Sequence, residues 1–243
     1  MRIRAVVALA IALATVACSG TSLFRQYEYE EEIYLSLDGT ATVYVNTSIP
    51  ALNALRGTSF NTSPNARVDR DAIRALYSSP TTHVVWVRES RRNGRRFAHV
   101  RLEADDITKL SSVPAFAWST PIFRRDGDEF VFRDHIAAAA NRDVGNVGWT
   151  GRELTAFRLH LPSKITYHPK EIDIRRGNIL AWEQPLTDRL KGLPLDIDVR
   201  MQTQSILYRT LWLFAATFVV VVIGFVAVIW WVLRRGARHA ETV

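Results

Sequence analysis

The stretch Leu211 to Leu233 carries no charged residue in twenty-three positions, and this constrains the chain more than anything else in it. As a helix rising about 1.5 Å per residue it reaches roughly 34 Å, enough to cross a hydrocarbon core of about 30 Å. A helix this apolar on every side would otherwise need burial all round. Trp212 at one end and Trp230 with Trp231 at the other fall at interfacial depth, where an indole buries its ring and keeps its N–H wet. Gly224 stands without a second small residue at GxxxG spacing, so it marks no dimerisation face. Beyond the span lie Arg234, Arg235 and Arg238, against Arg209 alone on the other side, and this asymmetry places the C-terminus in the cytoplasm. The chain preceding the span is then expected to be extracytoplasmic.

The opposite end reads as a secretory signal. Arg2 and Arg4 precede the apolar run Ala5 to Ala17, followed by Cys18, Ser19 and Gly20. Thirteen helical residues cover roughly 20 Å, too short for a permanent span. Thr15-Val16-Ala17-Cys18 resembles the lipobox of bacterial lipoproteins, in which the cysteine is diacylated and becomes the mature N-terminus. Cys18, the single cysteine, is therefore the expected lipidation site, and an ordinary cleaved signal is the alternative. The expected organisation is a signal peptide over 1–17, an extracytoplasmic domain over 18–209, a transmembrane helix over 210–233 and a cytoplasmic tail over 234–243.

Charge must be judged with that layout in mind. The 243 residues carry a formal +7, which on its own suggests an acidic partner. Setting aside Arg2, Arg4, Arg234, Arg235, Arg238 and Glu241 leaves 26 basic and 23 acidic residues between the anchors, a net +3. Most of the excess reports orientation, so nucleic acid is not an expected partner. One cysteine excludes an intrachain disulfide framework and a multi-cysteine zinc site. With 48% hydrophobic residues the chain is not wholly disordered.

Between the anchors, turn signals separate runs of period 2. Gln26 to Ser36 and Thr40 to Ser48 flank Asp38-Gly39, a hairpin signature, and Ala41, Val43 and Val45 share one face. Helices are expected over Ala51 to Arg56, stopped by Gly57, and from Asp69 or Asp71 to Tyr77. Thr82 to Glu89 and Arg96 to Glu103 form a second hairpin around Asn93-Gly94, with Asp105-Asp106 capping a short helix after it. Trp118 to Arg125 and Glu129 to Asp134 form a third around Asp126-Gly127. Ala137 to Ala140 reads as a short helix. Strands follow over Thr155 to Leu161, Lys170 to Ile174, Asn178 to Trp182 and Leu195 to Tyr208, the last feeding the membrane helix. The pattern is α+β, a single antiparallel β-rich domain with a few short helices plus the C-terminal span. Since both chain ends return to one membrane, the first and last strands are expected to be antiparallel and neighbours.

A lipobox cysteine, the Asp38-Gly39 hairpin, a mixed β-rich domain with Trp182 on a late strand, and one C-terminal span together resemble the LppM-like bacterial lipoproteins. The resemblance covers the whole layout. It implies a membrane-tethered, helix-grip-like domain associated with lipid binding, and it carries no binding residue across.

Candidate chemistry is sparse. His135, His160 and His168 with Ser163 would be the parts of a hydrolase, but no Gly-x-Ser-x-Gly elbow or HExxH stands in the chain, and no catalytic residue, metal ligand or cofactor is assigned. Arg91, Arg92, Arg95 and Arg96 cluster at the second hairpin's tip, either as contacts for lipid phosphates or as a solvated tip. Glu28 and Glu30 to Glu32 read as a solvated edge. Trp86, Trp118, Trp149 and Trp182 pack the core or line an apolar ligand cavity, and Gly145, Gly148 and Gly151 around Trp149 make a pocket lip or a long connection. The expectation is an envelope lipoprotein, single-pass in the cell membrane, whose non-enzymatic domain binds membrane lipids or an envelope protein partner. The alternative is a module for a lipid or small hydrophobic ligand, which would show a cavity above about 300 Å³, and a hydrolase is the third reading.

Overall fold

The computed structural model describes residues 25–169, 173–175 and 178–240. The expected signal peptide and Cys18 lie outside the described residues, as do Lys170 and residues 241–243.

The Asp38-Gly39 turn folds as its chemistry demands. Gly39 sits at φ +87°, Asp38 Oδ1 accepts from the Thr40 N–H at 3.0 Å, and β1 (Tyr27–Leu35) pairs antiparallel with β2 (Ala41–Ser48). Ser48 then ends the strand by capping α1 (Ile49–Arg56), its hydroxyl accepting from the Ala51 N–H at 3.1 Å, with Pro50 in the first turn. Gly57 closes the helix in the left-handed region at φ +70°. Asp69 caps α2 (Arg70–Leu76), accepting from Ala72 N–H at 2.9 Å. Asn93 and Gly94, both at positive φ, turn β3 (Thr82–Arg92) into β4 (Arg95–Ala104), as a type I′ turn requires. Two short 3₁₀ segments (Ile107–Ser112, Pro114–Phe116) lead to β5 (Ser119–Asp126) and β6 (Glu129–Ile136). After a long loop come β7 (Leu154–His160), β8 (Ser163–Tyr167), β9 (Asp173–Arg175), β10 (Ile179–Pro185), α3 (Leu186–Leu190), β11 (Leu195–Ser205) and α4 (Ile206–Ala240).

The strands form two sheets. The larger runs β3-β4-β2-β1-β7-β10-β9 and the smaller β5-β6-β11-β8. All pairings are antiparallel except β1 with β7, which is parallel. The protein is therefore α+β with two mostly antiparallel sheets. Their inner faces pack together, Ile33, Val43, Val100, Phe157 and Leu180 of one meeting Phe132, Ile136, Ile197 and Val199 of the other, with Leu52 and Leu55 of α1 in the same core. Between the sheets lies a void of about 10 Å³ bounded by Glu31, Ile33, Asp134 and Ile197, room for a single water.

Several expectations need correction. The first and last strands are not neighbours: β1 lies in the larger sheet and β11 in the smaller. Glu28 and Glu30 to Glu32 do not form a solvated edge, because β1 is the fourth of seven strands. Glu28 pairs with Arg95, Glu30 with Arg158 and Glu32 with His160, while Glu31 is buried. Ala137 to Ala140 is not helical. Its backbone is drawn out by the Ala137 N–H donating to the Trp118 carbonyl at 2.7 Å and the Ala140 N–H to that of Leu55 at 3.0 Å. The last strand stops at Ser205, whose hydroxyl accepts from the Leu207 N–H at 3.2 Å at the start of α4. The strand β8 and the parallel pairing have no counterpart in the sequence reading.

In α4, Ile206–Val232 is long and apolar enough to cross a membrane. Trp212, Trp230 and Trp231 are exposed on it, and Trp212 and Trp230 stand roughly 27 Å apart at 1.5 Å per residue, close to the thickness of a hydrocarbon core.

Candidate functional site

The arginine tip is less uniform than its sequence. Arg91 and Arg92 are exposed, but Arg92 donates to the Tyr27 carbonyl and lies 4.4 Å over the Phe97 ring. Arg96 donates through Nε to the Pro64 carbonyl at 3.0 Å. Arg95 is buried and fully engaged. Its Nε and Nη2 fork onto the Glu28 carboxylate at 2.7 to 3.2 Å, and Nη1 donates to the carbonyls of Val147 and Gly148. The fold thus separates Arg95, which ties β4 to β1 and to the loop before β7, from Arg91, Arg92 and Arg96, which keep guanidinium groups near solvent. Beside the tip an open cleft of about 350 Å³ is lined by Pro50, Ser63, Pro64, Asn93, Arg95 and Val147. Gly148, at φ +73°, is among its lining residues.

The core holds a charged cluster that the sequence did not disclose. Arg56 and Arg189 are both buried, and both lie on the Trp118 ring, at 3.0 and 4.6 Å from its centroid. Arg56 also hydrogen-bonds Tyr29, whose hydroxyl donates to Glu31 at 2.6 Å, and its guanidinium is 3.6 Å from the same carboxylate. Arg189 donates to the carbonyls of Leu193 and Ala137. Burial pushes Glu31 up to about 7, against the pull of Arg56, and burial likewise raises Asp134 across the water-sized void. Ser119 holds Asp134 by a hydroxyl donating at 2.7 to 2.8 Å. Burial and the neighbouring Arg56 lower Arg189 to about 10, so it remains a cation at neutral pH. The void beside Glu31 and Asp134, about 10 Å³, has room for one water and none for a larger ligand.

The outer face of the larger sheet gathers the remaining polar chemistry. One row crosses five strands in register: Arg158, Glu32, Tyr44, Arg101 and Trp86. Tyr34 stacks on His160 at 3.9 Å and meets Tyr44 edge-on at 5.6 Å, and Tyr44 lies 6.2 Å from Trp86, giving an aromatic run across the face. In the next row, Asn46 Oδ1 lies 2.7 Å from His99 Nδ1, and His99 Nε2 lies 2.7 Å from Ser90 Oγ. Burial, followed by the nearby Arg92, lowers the pKa of His99, with Glu30 acting in the opposite sense.

The histidines singled out in the sequence have other partners. His135 pairs with Asp196 at 2.7 Å on the surface, His160 with Glu32 at 2.5 Å, and His168 with the Pro169 carbonyl. The Ser163 hydroxyl donates to the Gln204 carbonyl. The serine–histidine contact lies instead at Ser90 and His99, which sequence reasoning missed. The available signal was register. Counting outward from the Asn93-Gly94 turn sets Ser90 opposite Phe97 and leaves His99 two residues further along the same face.

These elements define an α+β domain joined without a break to one helix able to cross a membrane. Among solved structures, that of the Mycobacterium tuberculosis LppM protein folded domain is similar to this chain at 12% identity and a TM-score of 0.41, over 75% of this chain and 94% of that one. The likeness is distant, and no residue role is taken from it. No family model and no curated protein matches the chain.

Proposed function

We propose that the chain is a membrane-anchored envelope lipoprotein whose domain lies outside the cytoplasm and serves as a binding or scaffold module close to the bilayer. The observation that carries this reading is the junction at Ser205 and Ile206: the last strand passes into the apolar helix with no linker residue between them. A domain joined in this way is held against the headgroups. The arginine asymmetry around the helix supports the orientation, and Cys18 would supply a second anchor by diacylation. Binding at surfaces is favoured over an interior lipid, because the two sheets close on each other around a void of about 10 Å³. The cleft at the arginine tip and the outer face of the larger sheet are the surfaces on offer, with no cofactor required by either.

The test is topological. Green fluorescent protein fused after Val243 is expected to fluoresce, and alkaline phosphatase fused at the same point to be inactive; the reverse pair of results overturns the orientation. Acyl-chain labelling of wild type against Cys18→Ala reads the second anchor, and equal labelling removes it.

A further inference from the structure

On the outer face of the larger sheet, three side chains from three strands form a relay: Asn46 on β2, His99 on β4 and Ser90 on β3. The two contacts, each 2.7 Å, have the geometry of a nucleophile held by a base that is itself oriented by a third group. With Asn46 Oδ1 accepting from Nδ1–H, the lone pair of His99 lies on Nε2 and accepts from the Ser90 hydroxyl. Burial and the nearby Arg92 shift the imidazole towards its neutral form, the form a base needs, while Ser90 itself is exposed. Arg88 and Arg92 flank Ser90 two residues to either side and so share its face of the strand. Arg88 stands directly opposite His99 in the ladder, its guanidinium 4.6 Å over Trp86, and Arg92 lies over Phe97. The adjoining row offers Tyr44 and Trp86, an aromatic surface for an apolar group.

We propose that Ser90 is an activated nucleophile that takes the acyl group of a carboxylic ester or thioester bearing an apolar acyl chain, with His99 as its general base and Asn46 as the residue that positions the imidazole. Ser90 Oγ bonds to the acyl carbon, the carbonyl π pair moves onto oxygen, and the hydroxyl proton passes to His99 Nε2. Arg88 and Arg92, on the same face of the strand, supply positive potential to the developing oxyanion. Its collapse breaks the bond to the alcohol or thiol, which leaves with the proton from Nε2. Water, deprotonated by His99, then cleaves the acyl-serine, releasing the carboxylic acid and restoring the hydroxyl. This adds an activity to the binding module and does not depend on its topology: a reversed orientation in the fusion test would leave the chemistry of the purified chain unchanged.

The test uses the full chain in detergent micelles and a biotinylated fluorophosphonate, which phosphonylates activated serines with loss of fluoride. A single adduct on the peptide carrying Ser90 is expected, absent from Ser90→Ala. His99→Gln retains an amide able to meet both neighbours but accepts no proton, and it is expected to slow labelling by about 100-fold or more, the scale of general-base assistance. All three positions lie on the sheet's outer face, and unchanged tryptophan emission verifies the fold of each variant. No adduct at Ser90 in the wild type overturns the proposal. So does equal labelling of wild type and His99→Gln, which would leave the relay as cross-strand hydrogen bonding alone.

Discussion

Replacing Glu31 by Gln isolates the buried charge cluster. In the folded chain Glu31 is pushed up to about 7 by burial, whereas in the unfolded chain it titrates near its ordinary value of 4.5. Below pH 4.5 both states hold the proton and the residue contributes no pH dependence. Between 4.5 and 7 the folded state retains a proton that the unfolded state has released, so stability falls as pH rises. Above 7 both are ionised and the loss is complete, at about 1.36 kcal/mol for each tenfold difference in proton affinity between the two states, or on the order of 3 kcal/mol in total. Glutamine keeps an oxygen to accept from Tyr29 and has no proton to lose. It also leaves Arg56 without its carboxylate, and because the amide does not titrate, that cost is the same at every pH; the attraction of Arg56 for the wild-type carboxylate is already counted in the value of about 7. The difference between the two proteins therefore moves by on the order of 3 kcal/mol in the variant's favour between pH 4.5 and pH 8, whatever its starting value. Asp134, also raised by burial, is present in both proteins, and its charge is one of the smaller contributions that hold Glu31 up. Urea unfolding of the full chain in micelles, followed by tryptophan emission, measures this, since Trp118 lies in the cluster. Stability curves that run parallel across the range, within about 0.5 kcal/mol, would refute the assignment of a raised pKa to Glu31.

Arg95→Met leaves the Glu28 carboxylate buried without its fork and is expected to cost about 3–5 kcal/mol in chemical denaturation, part of which Glu28→Gln in the same background restores. Gly57→Ala forces a left-handed residue to carry a Cβ 3.3 Å from that of Ala140, and a loss of about 1–2 kcal/mol is expected from its melting temperature. Arg91, Arg92 and Arg96 changed together to Ser, with Arg95 left in place, are expected to reduce sedimentation with anionic vesicles while the melting temperature stays near wild type; unchanged sedimentation discards the lipid-phosphate reading.

The parts of the fold set by local chemistry were legible. Asp38-Gly39 and Asn93-Gly94 need positive φ and so announced their hairpins, Gly57 marked the end of α1, and the uncharged run at the C-terminus folds as a helix long and apolar enough to cross a membrane. What escaped depends on partners far along the chain. Four glutamates within five positions read as solvated, yet their strand is central because Arg95 and Arg158 arrive to neutralise two of them and His160 to hydrogen-bond a third. Arg56, at the end of a helix and beside a glycine, is indistinguishable in sequence from a surface residue favouring the helix dipole, and its burial rests on the Tyr29 and Trp118 rings and the Glu31 carboxylate, all distant in sequence. The alanines at 137–140 favour a helix, but two carbonyls of the folded domain claim their N–H groups. Ser90 and Asn46 lie 9 and 53 positions from His99, separations that form no motif.

The parallel pairing of β1 with β7 has a consequence for how the chain becomes folded. On emerging first, β1 can close at once with β2, but its other side waits for a strand some 128 residues later, as the Glu30–Arg158 contact records. Contacts of such long range are slow to form, so the middle of the larger sheet is its last seam to close. Until then β1 is a bare edge of the kind that recruits strands from other chains, and it faces its surroundings with carboxylates at 30 and 32 that await Arg158 and His160 of its own chain. The charges that bind the finished sheet together thus guard the unfinished one.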